Sequence, residues 1–213
     1  TVAANRLDLG STVAPASESP RRLLSVGQAL PGIEIRIVDE NRHPVADGVI
    51  GEISLRGRFM FSEYYRLPER TSAVMSGGWY YTRDLGFLSD GELFVLGRRD
   101  DLIIVNGRNY YAHEIENTIS RVPGVKPGRA VTFGVFNPHY GSDQAVVLAE
   151  VAGDDVPLDE LKRSIKQVVL NETGLILEVV QLLPSGKLMK TTSGKISRNG
   201  NRERYLAETS KKS

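Results

Sequence analysis

Lys195 follows Ser193-Gly194 and precedes Ile196, so a small turn presents a long cation beside an apolar anchor. A lysine in that setting can place a point charge on a phosphate or carboxylate at the moment negative charge develops there. It does not belong to a P-loop, which needs Gly-Lys-Ser/Thr behind an earlier glycine. Lys195 is followed by Ile196 and Lys187 by Leu188, with no fitting glycine ahead of either. Asp84, in YYTRDLG, closes a predicted strand, where a carboxylate can accept hydrogen bonds from both hydroxyls of a ribose. Spacing alone favours an Asp that ends a turn or pairs with Arg83. Arg98 carries the same ambiguity, because ion pairs among Arg98, Arg99, Asp100 and Asp101 account for that cluster without a ligand.

Other chemistries find no support. His43, His113 and His139 show no His-x-x-x-His or Glu-x-x-His spacing for a metal, and no Gly-x-Ser-x-Gly elbow offers a hydrolase nucleophile. The absence of cysteine removes disulfides, thiolate nucleophiles and Cys-type zinc sites together. The aromatic groups Trp79-Tyr80-Tyr81 and Tyr110-Tyr111 could stack bases or an acyl chain, but on strands such clusters more commonly pack across to their neighbours.

The 213 residues suffice for one large or two small domains, and 40% hydrophobic with 25% charged residues is ordinary globular usage. A net charge of +1 does not imply a nucleic-acid or anionic-membrane surface. The segment from Gly186 to Ser213, however, holds eight basic and two acidic residues. By itself that reads as a solvated, partly frayed C-terminal end. A cytoplasmic protein is the simplest expectation, and the longest apolar runs fall far short of the ~20 residues that span a bilayer, so no stable membrane insertion is expected. Thr1 in place of an initiator Met suggests a piece of a longer chain.

The elements that must position these residues follow from periodicity. Residues 1–26 read as a loop-rich approach. IEIRIV and EISLRG alternate as strands around a turn at His43-Pro44 and Asp47-Gly48, and Pro68 fits the first position of a short helix. Trp79 to Leu96 reads as two strands joined by Asp90-Gly91. LIIV is then a short buried strand ending at Asn106-Gly107. Ile115, Ile119 and Val122 line one face of a helix stopped by Pro123-Gly124. AVTFGVF, AVVLAEV, the helix LDELKRSIKQVVL and LEVVQLLP follow, with helix-start residues from Asp154 to Pro157 and a stop at Gly174. The change from hairpins to alternating elements puts a domain boundary near Asp100, inside RRDD.

Four segments, in order, resemble the adenylate-forming superfamily of acyl, aryl and aminoacyl activating enzymes. They are VGQALPGIEIRIVDE with GEISLRG, GGWYYTRDLGFL, GRRDDLIIVNGRNYYAHEIE and KTTSGKISR. The likeness runs from about Leu24 to about Arg202, and GRNYYAHEIE is most similar to the fatty acyl-AMP ligases. Two departures stand out: Ala112, where a proline is common, and Arg83, where glycine is usual.

The resemblance implies an α+β architecture. Residues 1–99 would be the β-rich closing subdomain of the large adenylation domain, and 100–213 the small mobile C-terminal domain. It implies that Asp84 binds the ribose hydroxyls of ATP, that Arg98 helps hold the ribose or phosphate region, and that Lys195 contacts the carboxylate and α-phosphate during adenylation. Asp100 would be the hinge, and Gly107 would lie on the loop that admits the acceptor thiol. ATP and Mg2+ are the implied cofactors, with Mg2+ bound mainly by upstream residues, where the phosphate loop and acyl pocket are also expected. The implied partners are a fatty acid and an acyl carrier protein, or coenzyme A if the protein is a long-chain fatty acid–CoA ligase. Alternatives of other classes are a non-catalytic carrier-docking module of the same fold and a nucleic-acid binder resting on the basic C-terminal end.

Overall fold

The described residues of the computed structural model are 2–4, 10–13, 21–153 and 156–210. They form two compact units, Thr1–Asp100 and Asp101–Ser213. Alternation builds the first. Strands β3 (Ile33–Val38), β4 (Gly51–Gly57), β5 (Met75–Ser76), β6 (Trp79–Ser89) and β7 (Glu92–Arg98) form one antiparallel sheet. Its order is β3-β4-β6-β5, with β7 also on β6. One face buries Ile37, Ile53 and Leu93, while Val38, Trp79 and Tyr81 form a separate cluster. The guanidinium of Arg36 lies 3.9 Å from the Trp79 ring centroid, so a cation covers an aromatic surface.

Phe87 and Phe94 are cross-strand partners whose rings stack 4.8 Å apart. Gly86 lies beside them, where a Cβ would stand 2.3 Å from the Phe94 carbonyl oxygen, so only glycine fits. Helix α1 (Pro68–Val74) begins with proline at its first turn as the sequence suggests. The approach is not wholly loop, because β1 (Val2–Ala4) pairs with β2 (Arg21–Leu23). The expected loop at 5–9 and 14–20 lies outside the described residues.

The second unit is built on β10 (Val125–Asn137), β11 (Ser142–Val151) and β12 (Val179–Leu183), with β11 central, antiparallel to β10 and parallel to β12. Ala145, Val147 and Ala149 face a core shared with α2 (Ala112–Ile119) and α3 (Leu158–Thr173). Val146 and Leu148 face a second core with Phe133 and Leu188. A strand buried on both faces loses its alternation, which is why AVVLA is continuously apolar. Ile115 and Ile119 point into the first core; Val122 joins it beyond the helix end. Gly174, with φ +72°, ends α3 in the left-handed conformation, its N–H donating to the Leu170 carbonyl. Of the residues expected to start α3, Asp154 and Asp155 lie outside the described residues, and Pro157 is the cap position.

Two readings need correction. LIIV forms β8 (Leu102–Val105), but only Ile103 is fully buried and Ile104 is half-exposed, because β8 pairs with β9 (Arg108–Tyr111) in a small hairpin. The solvated C-terminal end is instead helix α4 (Arg198–Ser210), whose Tyr205 ring packs 5.8 Å from Phe133. Lys211 and Lys212 lie outside the described residues.

The outer edge of β10 is taken up by side chains. The Thr132 N–H donates to Glu116 (2.7 Å), while the Thr132 and Gly134 carbonyls accept from Arg198 (2.9 Å) and Arg202 (3.0 Å).

Candidate functional site

In the first unit, Asp84 is placed by a break in pairing. Glu52 pairs with Leu85 and Ser54 with Tyr81, so Thr82, Arg83 and Asp84 together oppose Ile53 alone. A bulge of this kind bends a strand and re-aims its side chains. It is held by the Thr82 hydroxyl, which donates to the Ile53 carbonyl (2.8 Å) and accepts the Asp84 N–H (3.0 Å). The Arg83 N–H donates to Glu52 (2.8 Å).

Arg83 adopts φ +63°, a left-handed conformation that favours glycine. The departure from glycine noted in the sequence therefore carries backbone strain. Its side chain reaches Asp100 in a two-pronged ion pair, with Nε 2.9 Å from Oδ2. The hydrogen bonds from Arg83 hold the Asp100 carboxyl below its ordinary range, outweighing the opposing effect of burial.

Asp84 and Arg98 are register partners on β6 and β7, and Arg98 Nε stands 3.2 Å from Asp84 Oδ1. The two predicted nucleotide residues are therefore brought together, with the Asp84 side chain still 42% exposed. Tyr80 lies in the same neighbourhood. Burial, then Tyr64 and Asp84, raise its phenol above the ordinary range, with Arg98 opposing.

In the second unit, Lys195 is exposed at the point where a tight loop over Thr191–Gly194 closes. Lys190 bridges Ile196, the Thr191 N–H donates to the Lys195 carbonyl (2.7 Å), and the Gly194 N–H donates to the Thr191 carbonyl (2.9 Å). Ile196 packs against the second core, as expected of an anchor. Lys195 makes no ion pair among the described residues, and it lines a groove of about 380 Å³ with Glu116, Asn117, Arg129, Gly194 and Arg198. Gly107, with φ +73°, follows Asn106 (φ +50°) in the two-residue turn between β8 and β9 and is not part of that groove.

Arg198 was legible in sequence only as one of eight basic residues, yet it organises the groove floor. Its Nη2 donates to both Glu116 oxygens at 2.9 Å, its Nε to the Thr132 carbonyl at 2.9 Å, and its Nη1 pairs with Asp101. Arg198, Glu116 and Asp101 side chains are only 22%, 18% and 23% exposed. Burial raises the Glu116 carboxyl even against the pull of Arg198; burial acts to lower Arg198, but Glu116 and Asp101 together outweigh it and raise the guanidinium. No spacing rule marks this trio, since its members lie in a turn, a helix and a helix start.

Residues 100–213, more than half of the chain, match the family described as Disco-interacting protein 2-like, AMP domain. The chain belongs to that family. Residues 8–65 also match the AMP-binding enzyme family. The chain is 32% identical over 195 residues to a putative acyl-CoA synthetase of Caulobacter vibrioides, covering 91% of this chain and 34% of that protein. It is 34% identical over 206 residues to the long-chain-fatty-acid–AMP ligase FadD26 of Mycobacterium tuberculosis, covering 87% and 34%. Among solved structures, a fatty acyl-adenylate ligase from a study of the E. coli and L. pneumophila enzymes superposes with a TM-score of 0.80 at 29% identity, over 94% of this chain and 36% of that one. The chain thus spans about a third of the length of these relatives. Among the described residues no helix is long and apolar enough to cross a membrane.

Proposed function

We propose that this AMP-domain chain serves an enzyme that activates a fatty carboxylate with Mg-ATP and passes the acyl group to an acyl carrier protein thiol. A carboxylate oxygen attacks the α-phosphorus, the bond to the bridging oxygen breaks, and pyrophosphate leaves. The acceptor sulfur then attacks the acyl carbonyl carbon, AMP departs, and the thiol proton passes to solvent. The observation that carries the reading is Lys195, an exposed ammonium without an ion-pair partner among the described residues, held in the closing pair of a hydrogen-bonded loop.

Such a cation stabilises charge as it develops on the carboxylate and α-phosphate, at no reorganisation cost when its loop is already set. The half-exposed Asp84, steadied by Arg98, suits a ribose diol, because a carboxylate accepts from two hydroxyls at once. Asp100 would serve as hinge between the half-reactions, and Gly107 would face the incoming thiol. The described residues contain no group of three His, Cys, Asp or Glu that suits a metal. Mg2+ enters this scheme with ATP as substrate, and no step is assigned to it on this chain.

The names of relatives favour a second reading for the acceptor, coenzyme A, because FadD21 of Mycobacterium tuberculosis, 31% identical over 219 residues, is named a putative fatty-acid–CoA ligase. The test is pyrophosphate release from Mg-ATP and a medium-chain fatty acid by this chain, alone and mixed with the upstream polypeptide of its gene. The expected result is silence alone and release on mixing. Release by the chain alone rejects the division of labour proposed here, and silence in both favours the carrier-docking alternative. Labelled acyl transfer to carrier protein against coenzyme A then separates the two acceptors.

A further inference from the structure

Asn201 is fully buried, and it is the one buried residue of α4. A buried carboxamide in a helix is costly unless its hydrogen bonds are made. Here they are made to the two stems of the Lys195 loop. The Asn201 Oδ1 accepts the Met189 N–H (3.0 Å), while Nδ2 donates to the Met189 carbonyl (3.0 Å) and to the Ser197 carbonyl (2.8 Å). Oδ1 also accepts a longer bond from Arg204 (3.4 Å), so both donors and the acceptor oxygen are fully engaged.

Met189 and Ser197 flank the loop, and the Ser197 N–H donates to the Met189 carbonyl (2.9 Å), so the same carboxamide grips both ends of this closing pair. The helix start does not need Asn201. Ser197 Oγ already accepts the Gly200 N–H (3.1 Å), as an N-cap residue does.

We infer that Asn201 is a positioning residue for Lys195: it clamps both stems of the loop so that the ammonium meets the reacting carboxylate and phosphate in one fixed geometry. The inference rests on the role proposed for Lys195. A clamp of this kind acts on the adenylation step alone, because a displacement of the cation by about 1 Å lowers the rate on the order of 10-fold to 100-fold without removing the binding surface.

The test uses the complete enzyme carrying Asn201→Ala, with acyl-AMP formation and acyl transfer from supplied acyl-AMP measured separately. Asn201→Ser, which keeps a hydroxyl able to reach the Ser197 carbonyl, is a milder second variant. Asn201→Ala is expected to lower kcat of adenylation on the order of 10-fold to 100-fold while KM for ATP and fatty acid and the transfer step stay within about 2-fold, with Asn201→Ser between it and the parent. In amide hydrogen exchange, Thr191 and Gly194 of the loop are expected to lose protection while β10 and β11 keep theirs. Equal loss in both half-reactions, or unchanged adenylation, overturns the inference. If Asn201→Ala does not fold, the Asn201→Ser kinetics and exchange decide in the same way. Lys195→Ala, run beside them, separates the two ideas: intact adenylation there refutes the proposed function itself, whereas abolished adenylation with normal Asn201 variants refutes the clamp only.

Discussion

Arg198 Nη2 stands 2.9 Å from both carboxylate oxygens of Glu116, a residue 82 positions earlier in the chain. The same guanidinium holds Asp101 and the Thr132 carbonyl, so it ties the first residue of the second unit to α2, β10 and α4. Arg198→Ala leaves two largely buried carboxylates without their cation. The expected loss is about 3 kcal/mol of unfolding free energy, read from urea denaturation of the chain. Combining it with Glu116→Ala is expected to cost clearly less than the sum of the single losses, and strict additivity would show that the pair is not coupled.

The ion pair of Arg83 and Asp100 is about half exposed on both sides and is worth no more than about 1 kcal/mol. Its pH dependence has a defined sign. The Asp100 carboxyl is lowered in the folded state, so its contribution is present above the unfolded value of about 3.9 and is lost as pH falls through the lower folded value. Arg83→Gln is therefore expected to be less stable than the parent at pH 7 and to converge with it as pH falls through the lowered folded value. A gap that persists or widens in acid would contradict this.

Gly107→Ala isolates a backbone effect, because an added Cβ there meets nothing within 4 Å. The only cost is a left-handed φ of +73° for an L-residue, about 1 kcal/mol. The thermal midpoint should drop by a few degrees with the unfolding cooperativity unchanged. If Gly107 faces the incoming thiol, a methyl group there also slows acyl transfer more than adenylation.

Lys195→Ala is expected to leave stability within about 0.5 kcal/mol, as for an exposed side chain without an ion pair among the described residues. In the complete enzyme it should lower acyl-AMP formation roughly 100-fold to 1,000-fold, the usual effect of losing one preorganised charge contact. Asp84→Asn should instead raise KM for ATP most if Asp84 holds the ribose as proposed, because such a contact binds ground state and transition state alike.

Much of the scaffold was legible because local signals were strong. Pro68 marked the start of α1, Asp90-Gly91 the turn between β6 and β7, and Gly174 the end of α3. What escaped had no local signal. β9 (RNYY) is short, and only its Asn106-Gly107 turn gave it away in retrospect. Helix α4 buries a single residue, a polar one, so hydrophobic periodicity could not reveal it, although Ser197 at its start was a cap signal. At the site, Lys195, Asp84 and Arg98 were named from motif context. Glu116, Arg198 and Asn201 were not, since their meaning lies in contacts that only the fold creates.

The side chains of Glu116, Arg198 and Arg202 along β10 have one more effect. An open strand edge is a template onto which a neighbouring molecule can zip, and sheets that lack a guard tend to grow into aggregates. At Thr132 and Gly134 the template is already occupied, and two of the three guards come from the segment just beyond Lys195. Loosening that segment would therefore do more than displace a cation. It would uncover main-chain carbonyls and give the protein a route to polymerise, so the residues that follow the Lys195 loop also guard the sheet against aggregation.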